Sequence, residues 1–306
     1  MSKITPHLRA VLQALFVTFL WSTAWVLIKF GLEEISPLVF AGLCYLLAFL
    51  VLLPFLWRQS ETNEGVFRVP SSVKRLTWGD WGRLVLLGMM YYAVTQGSQF
   101  VALAHAPAVT VTLILNFTVV FVALIGIFIL GERPNGGQWL GIIIALAGAV
   151  VYFYPFGLEE AQWIGVVAAL VTMSANAVSS VLGRYVNRAN AIKPLTVTVI
   201  SMGVGALIML AAGVILEGIP TLSGQSWVVI AWLAVVHTAA AFTLWNHTLR
   251  TLPAVESAVI NNTMTVQIAV LALLFLGETI SGRELLGLAT VVVGTLLVQI
   301  GRREGV

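Results

Sequence analysis

Residues 103–131 read LAHAPAVTVTLILNFTVVFVALIGIFILG, and residues 249–277 read LRTLPAVESAVINNTMTVQIAVLALLFLG. Laid over each other without a gap and continued to residues 148 and 294, the two stretches agree at 15 of 46 positions. The first copy starts at the fourth predicted apolar span and the second copy at the ninth. Because five spans is an odd number, the copies must cross a membrane in opposite directions. Inverted repeats of this kind are typical of secondary transporters, which bind solute near the midplane between the repeats.

The composition excludes a soluble globular protein. The chain is 59% hydrophobic and only 9% charged, with a mean hydropathy of +0.98, whereas a soluble domain carries about 25% charged residues. A helix needs roughly 20 apolar residues to cross a bilayer. We predict an all-α membrane protein with ten transmembrane helices, at residues 10–29, 37–57, 82–104, 107–130, 138–154, 162–183, 194–216, 227–249, 254–276 and 284–301.

The placement of basic residues predicts the orientation. With the N-terminus inside, fourteen of the 16 Lys and Arg residues fall on the cytoplasmic side, and only Lys29 and Arg283 fall on the other. This bias predicts a multi-pass protein of the bacterial inner membrane with both termini in the cytoplasm. The basic pI of about 9.2 therefore reflects topology, and we predict no nucleic-acid partner.

No pattern of metal-binding or catalytic residues is apparent. The single cysteine, Cys44, lies within a predicted span, and the four histidines have no metal-site or catalytic spacing to one another or to acids. We therefore predict no cofactor, no metal ion and no enzymatic activity.

The internal similarity divides the chain into two five-helix repeats, 1–154 and 155–306. Five glycines recur every seven residues in predicted helices 5 and 10, at Gly141, Gly148, Gly287, Gly294 and Gly301. Small residues allow transmembrane helices to approach closely. The glycine face therefore predicts packing against another helix of the same chain, with a homodimer through helices 5 and 10 as the alternative.

Polar and aromatic residues deep within the spans predict the solute site, because such residues are costly in a membrane. They occur in helices 1, 3, 4, 6, 8 and 9, which predicts an inner cage of six helices. For each polar residue alone, hydrogen bonding between helices is the alternative explanation. The predicted solute-binding residues are Trp21, Tyr91, Tyr92, Gln96, Asn116, Asn176, His237, Asn261 and Asn262.

Charge at the span centres is nearly absent. No Asp or Glu lies there, and His237 is the one midplane group that titrates near neutral pH. Desolvation disfavours the imidazolium, so we expect a neutral ring and transport by facilitated diffusion or exchange. The missing carboxylate favours a neutral or zwitterionic solute over a cation.

The LGE triplets at 130–132 and 276–278 repeat at equivalent positions. A glycine at this point is typical of a helix end. We expect each glutamate to pair or to cap a helix at the membrane surface.

Several segments resemble the drug/metabolite transporter superfamily, in particular proteins built from two EamA-type repeats. They are LGERP at 130–134, LGETI at 276–280, LAHAP at 103–107, LRTLPA at 249–254 and LWNHTL at 244–249. The resemblance implies an inner-membrane carrier, often an exporter, with a cavity lined by helices 1, 3, 4, 6, 8 and 9, similar to the aromatic amino-acid exporters of the YddG type. The small four-helix relatives carry a glutamate in helix 1, whereas residues 20–25 here read LWSTAW.

The sequence therefore predicts an exporter or exchanger of small organic metabolites that works by alternating access. Its expected partners are the solute and the lipid bilayer, and amino acids, including aromatic ones, are the best candidates for the solute. The alternatives are a flippase for lipids or lipid-linked sugars and a multidrug exporter. A flippase would have a lateral opening between helices and a cavity half lined with aliphatic side chains.

Overall fold

The computed structural model describes residues 6–58, 76–118, 135–154, 160–188, 194–248 and 254–301, together with isolated positions between these ranges. Within them the chain is helical and contains no strand. The first LGE triplet, at 130–132, lies outside the described residues.

The described helices are numbered α1 to α10 in chain order. Eight of them are single α-helical segments: α1 Pro6–Gly31, α2 Pro37–Arg58, α4 Ala108–Asn116, α5 Gly136–Phe153, α6 Glu160–Arg188, α7 Pro194–Glu217, α9 Ala254–Phe275 and α10 Gly282–Gly301. The other two are composite, with a π-helical segment between two α-helical ones. In α3 the segments are Trp78–Leu87, Gly88–Gln96 and Gly97–His105, and in α8 they are Gly224–Trp232, Leu233–Ala240 and Ala241–Thr248.

Helix starts follow from local hydrogen bonding. Thr77 and Asp80 form a reciprocal capping box at the start of α3, and Asn135 and Gln138 form another at the start of α5. Ser223 accepts a hydrogen bond from the amide of Ser226 at the start of α8. Each cap satisfies backbone amides that have no partner within the helix.

The length and composition of the helices suit a bilayer. Five of the described helices are long and apolar enough to cross it by these criteria alone, at Pro6–Gly31, Pro37–Arg58, Gly136–Phe153, Gln162–Ser180 and Leu195–Glu217. Each predicted span coincides with a described helix, although α4 is described as a continuous helix only to Asn116. The figure of ten crossings remains a prediction.

Two pairs of helices five positions apart, α2 with α7 and α5 with α10, pack closely against each other and run in opposite directions. On α5 and α10, Gly141 lies beside Gly294 and Gly148 lies beside Gly287. On α2 and α7, Gly42 lies beside Leu210 and Val39 beside Gly213. A Cβ added to Gly141 would approach the carbonyl oxygen of Gly294 to 2.7 Å. The glycine face is therefore covered within the chain, and a homodimer through α5 and α10 would have to use their outer faces.

Three further helix contacts repeat between the two halves. α1 packs on α8 and α9, and its counterpart α6 packs on α3 and α4. Likewise α2 packs on α8, and α7 packs on α3. Advancing every helix by five positions thus reproduces these contacts. Together with the antiparallel pairs, this pattern is that of two inverted five-helix repeats.

Candidate functional site

A cavity of about 240 Å³ lies where six helices of both repeats meet. Its described lining contains no Asp, Glu, Lys or Arg. The walls come from α1, α2, α3, α4, α8 and α9, and consist of Trp21, Ala24, Trp25, Ile28, Cys44, Tyr45, Tyr91, Gln96, Gln99, Phe100, Leu115, Leu233, His237, Thr238 and Met264. Four of the predicted site residues, Trp21, Tyr91, Gln96 and His237, are among them.

Two hydrogen-bond contacts join His237 to α1. The indole Nε1 of Trp21 donates to the backbone carbonyl of His237 at 3.0 Å, and the Thr23 hydroxyl lies 3.1 Å from the imidazole Nε2. The Thr23 hydroxyl also donates to the Leu20 carbonyl at 2.7 Å, and the direction of its contact with Nε2 depends on the imidazole tautomer. The other ring nitrogen, Nδ1, makes no hydrogen bond of normal geometry, although the backbone of Trp232 lies nearby.

Three tyrosines form an aromatic cluster between α2 and α3. The Tyr92 ring centroid lies 4.9 Å from that of Tyr91 and 5.6 Å from that of Tyr45, both in edge-to-face geometry. Tyr91 and Tyr45 line the cavity, whereas Tyr92 is buried behind them. Tyr45 was not among the residues predicted from the sequence, because α2 was expected to be peripheral.

Asn116 connects two helices beside the cavity. Its side-chain amide donates to the Thr112 carbonyl and to the Thr265 hydroxyl, both at 2.8 Å, and the residue is buried. These bonds tie α4 to α9. They correspond to the interhelical alternative considered for the predicted polar residues.

The other predicted asparagines lie away from this cavity. Asn176 and Asn262 are half-buried, and Asn261 is exposed. Among the described residues, α6 contributes none to the cavity lining, whereas α2 contributes Cys44 and Tyr45. The cavity in this conformation therefore draws on α2 in the place expected for α6.

A second polar group links α1 to α9 and was not predicted. The Ser22 hydroxyl lies 2.9 Å from Oε1 of Gln267, and the amide nitrogen of Gln267 donates to the hydroxyls of Thr263 and Thr18. The sequence signal was the cluster of hydroxyl residues at positions 18, 22 and 23 in an otherwise apolar helix.

The α3–α4 junction is held by one residue from each repeat. The ammonium group of Lys29 donates to the Ala106 carbonyl at 2.7 Å. The carboxylate of Glu278 accepts from the amides of Ala108 at 2.6 Å and Val109 at 3.2 Å, which caps α4. Gly277 ends α9 with φ +64°. The expected helix end and capping role are thus confirmed for the second LGE triplet.

The α1–α2 junction is bonded to the start of α8. Oε2 of Glu34 accepts from the hydroxyls of Ser226 at 2.6 Å and Ser223 at 2.9 Å. These two bonds hold the pKa of the exposed Glu34 carboxyl below its usual value. Within the part of the chain that the structure describes, no three His, Cys, Asp or Glu side chains are grouped to hold a metal ion.

Comparison with known proteins gives consistent similarities. The model of the EamA-like transporter family matches residues 8–154 and 163–300. An Escherichia coli K12 protein named "Uncharacterized inner membrane transporter YedA" is 28% identical over 309 residues, covering 94% of this chain and 90% of its own. A "Probable amino-acid metabolite efflux pump" from the same strain is 24% identical over 305 residues, with coverage of 95% and 94%.

One solved crystal structure matches the fold with a TM-score of 0.65. It covers 97% of this chain and 99% of its own chain at 21% sequence identity, so it bears on the fold alone. The family model matches both inverted repeats, and an uncharged cavity lies where they meet. The chain is therefore a membrane transporter that belongs to the EamA-like family of the drug/metabolite transporter superfamily.

Proposed function

We propose that this transporter exports or exchanges small neutral or zwitterionic metabolites, with amino acids, including aromatic ones, as the best candidates. The observation that carries the proposal is the uncharged, aromatic-walled cavity between the repeats. Solute binds there and is released on alternate sides as the repeats rock about the site. Two relatives, from Escherichia coli and Salmonella typhimurium, are each named "Probable amino-acid metabolite efflux pump", and these names support the choice of amino acids.

Cavity size favours a metabolite over a drug. Pockets for drug-sized ligands are typically about 300–1,000 Å³, and this cavity holds about 240 Å³. Trp21, Trp25 and Tyr91 offer apolar faces to a side chain. Gln96 and Gln99 offer amide donors and acceptors to the polar end of the solute.

Cavity charge disfavours a cationic solute. Removing a cation from water costs several kcal/mol even after relaxation, and the described lining of the cavity includes no carboxylate to offset this cost. A zwitterion brings its own opposite charge and so needs only hydrogen bonds from the walls.

A flippase is less well supported. The apolar groove between α3 and α6 has a volume of about 610 Å³ and is lined by aliphatic residues together with Trp163 and Ser98. Among its described lining residues, none is shared with the central cavity. The groove and the central cavity are therefore separate pockets among the described residues.

We further propose that the chain resides in a bacterial inner membrane with both termini in the cytoplasm. The relative named YedA is described as an inner-membrane transporter. With the N-terminus inside, fourteen of the 16 Lys and Arg residues fall on the cytoplasmic side, and this bias supports the proposed orientation.

A transport screen in proteoliposomes tests the substrate class. We expect uptake of labelled phenylalanine, tryptophan or leucine, and no uptake of a permanently cationic dye or flipping of a fluorescent phospholipid. Trp21→Ala should raise the apparent KM about tenfold, because it removes an aromatic contact worth roughly 1 kcal/mol and the bond to the His237 carbonyl.

Trp139→Ala provides the matched control, because Trp139 is 46% exposed on α5 and lies outside the cavity. Its KM should equal that of the wild type. Preferred transport of the cationic dye, or an unchanged KM in Trp21→Ala, would contradict the assignment.

A further inference from the structure

The two π-helical segments occupy equivalent positions in the repeats. Shifting Gly88–Gln96 by the 146 residues that relate the repeats gives residues 234–242, which overlap Leu233–Ala240. π-Helical turns are rare and occur frequently at functional sites. Here both segments carry cavity residues, with Tyr91 and Gln96 in α3 and Leu233, His237 and Thr238 in α8.

The wider turn decides which side chains face the cavity. In an α-helix residues advance by about 100° each, so residues five apart point about 140° away from each other. In a π-helix, with about 4.4 residues per turn, residues five apart point within about 50° of each other. Tyr91 and Gln96 are five residues apart, as are Leu233 and Thr238, and both pairs line the same central cavity.

Each π-helical segment has a threonine that bonds across the wide turn. Thr95 donates to the carbonyl of Met90 at 2.8 Å, and Thr238 donates to the carbonyl of Leu233 at 3.1 Å. Both acceptors lie five residues back. In the other described helices, Ser and Thr hydroxyls that bond to their own helix reach carbonyls three or four residues back, as Thr172 and Thr295 do.

We propose that Thr95 and Thr238 are positioning residues that hold the two π turns, and thereby keep the cavity side chains of α3 and α8 in register. A hydroxyl bonded to the carbonyl five residues back stabilises the wide turn, because in an α-helix it would reach the carbonyl three or four residues back. Neither hydroxyl needs to touch solute. This inference rests on the proposed function only in placing solute in the cavity.

The test compares Thr95→Val and Thr238→Val, which keep side-chain shape but remove the hydroxyl, with Thr95→Ser and Thr238→Ser, which restore it. The control is Thr295→Val, because Thr295 is equally buried in the ordinary α-helix α10 and bonds three residues back. Each full-length variant is reconstituted and assayed for amino-acid uptake. Amide hydrogen exchange is then measured over residues 88–96 and 233–240 without solute.

We expect each valine variant to raise the KM about fivefold with little change in maximal rate, as the loss of one buried hydrogen bond implies. The serine variants and Thr295→Val should stay within about twofold of the wild type. Exchange should quicken only within the π segment that carries the substitution. Unchanged exchange in the valine variants, or serine variants as impaired as the valine ones, would overturn the inference.

The exchange measurement separates this inference from the proposed function. If the wild type transports no amino acid, the proposed substrate class fails, and faster exchange in the valine variants still supports the role of the threonines. If amino acids are transported but the valine variants keep the wild-type KM, the positioning role is wrong and the proposed function stands.

Discussion

His237 has the surroundings of a fixed hydrogen-bonding residue. Trp21 holds its backbone carbonyl, Thr23 contacts its ring, and the Trp232 ring lies 6.4 Å away between centroids. The described cavity lining includes no acid that could stabilise an imidazolium. From these contacts we expect a neutral ring that hydrogen-bonds solute, and transport that follows the solute gradient.

Replacing His237 tests this role. His237→Gln keeps an amide that can bond Thr23 while removing titration near neutral pH, so we expect transport within about threefold of the wild type, the change expected when a hydrogen bond is largely kept. An imposed pH gradient should not concentrate solute in liposomes that contain the wild-type protein. Accumulation driven by the gradient in the wild type and lost in His237→Gln would show instead that the histidine couples transport to protons.

Side-chain type alone predicted part of the cavity. Trp21 and His237 each lie deep within an otherwise apolar span, and both line the cavity. In helix 3, Tyr91, Tyr92 and Gln96 were all predicted to bind solute, whereas the structure places Tyr91 and Gln96 at the cavity wall and buries Tyr92. The reason is the π turn, which has no periodic signature in a single sequence. Tyr45 was missed because α2 was expected to lie outside the inner cage of helices.

At the scale of the helices, glycines determine how closely α5 and α10 approach. Gly141, Gly148, Gly287 and Gly294 each place backbone within reach of backbone across the contact. The hydrophobic effect does not drive helix association within lipid, so van der Waals packing at this close distance stabilises the pair instead. The seven-residue glycine repeat predicted this contact within the chain, since it marks a face and needs no knowledge of the partner.

A single methyl group tests this packing. Gly141→Ala puts a Cβ 2.7 Å from the Gly294 carbonyl oxygen, so the helices must separate, and we expect a loss of about 1–3 kcal/mol, as for overpacked cores. Thermal melting of the detergent-solubilised protein, followed by size-exclusion chromatography, measures the change. Gly282→Ala is the control, because its Cβ would meet nothing within 4 Å. Equal melting temperatures for the two variants would contradict the packing argument.

At the scale of the whole molecule, the repeats are connected by reciprocal contacts. Helices α2 and α7 pair antiparallel, as do α5 and α10, and Glu278 of the second half caps α4 of the first. The count of apolar spans predicted this inversion, because an odd separation reverses direction. The sequence could not predict which residues meet at the junctions, since the bond from Lys29 to Ala106 depends on three-dimensional packing.

Reporter fusions test the orientation. Alkaline phosphatase joined within residues 68–75 or after residue 303 should be inactive, because the positive-inside bias keeps both positions in the cytoplasm. Fusion at Glu33, in the short junction between α1 and α2, should be active. Activity from residues 68–75 or from the C-terminal fusion would reverse the proposed topology.

The cap on α4 can form only late in the synthesis of the chain. Glu278 follows Ala108 by 170 residues, and ribosomes add about 5–20 residues per second. The amides of α4 therefore wait roughly 10–30 s for their carboxylate at that rate, and α5 waits for the glycines of α10. During that interval the first half is already in the bilayer. The start of α4 and the glycine face of α5 then contact the insertion machinery or lipid, because the residues of the second half that cover them are not yet made.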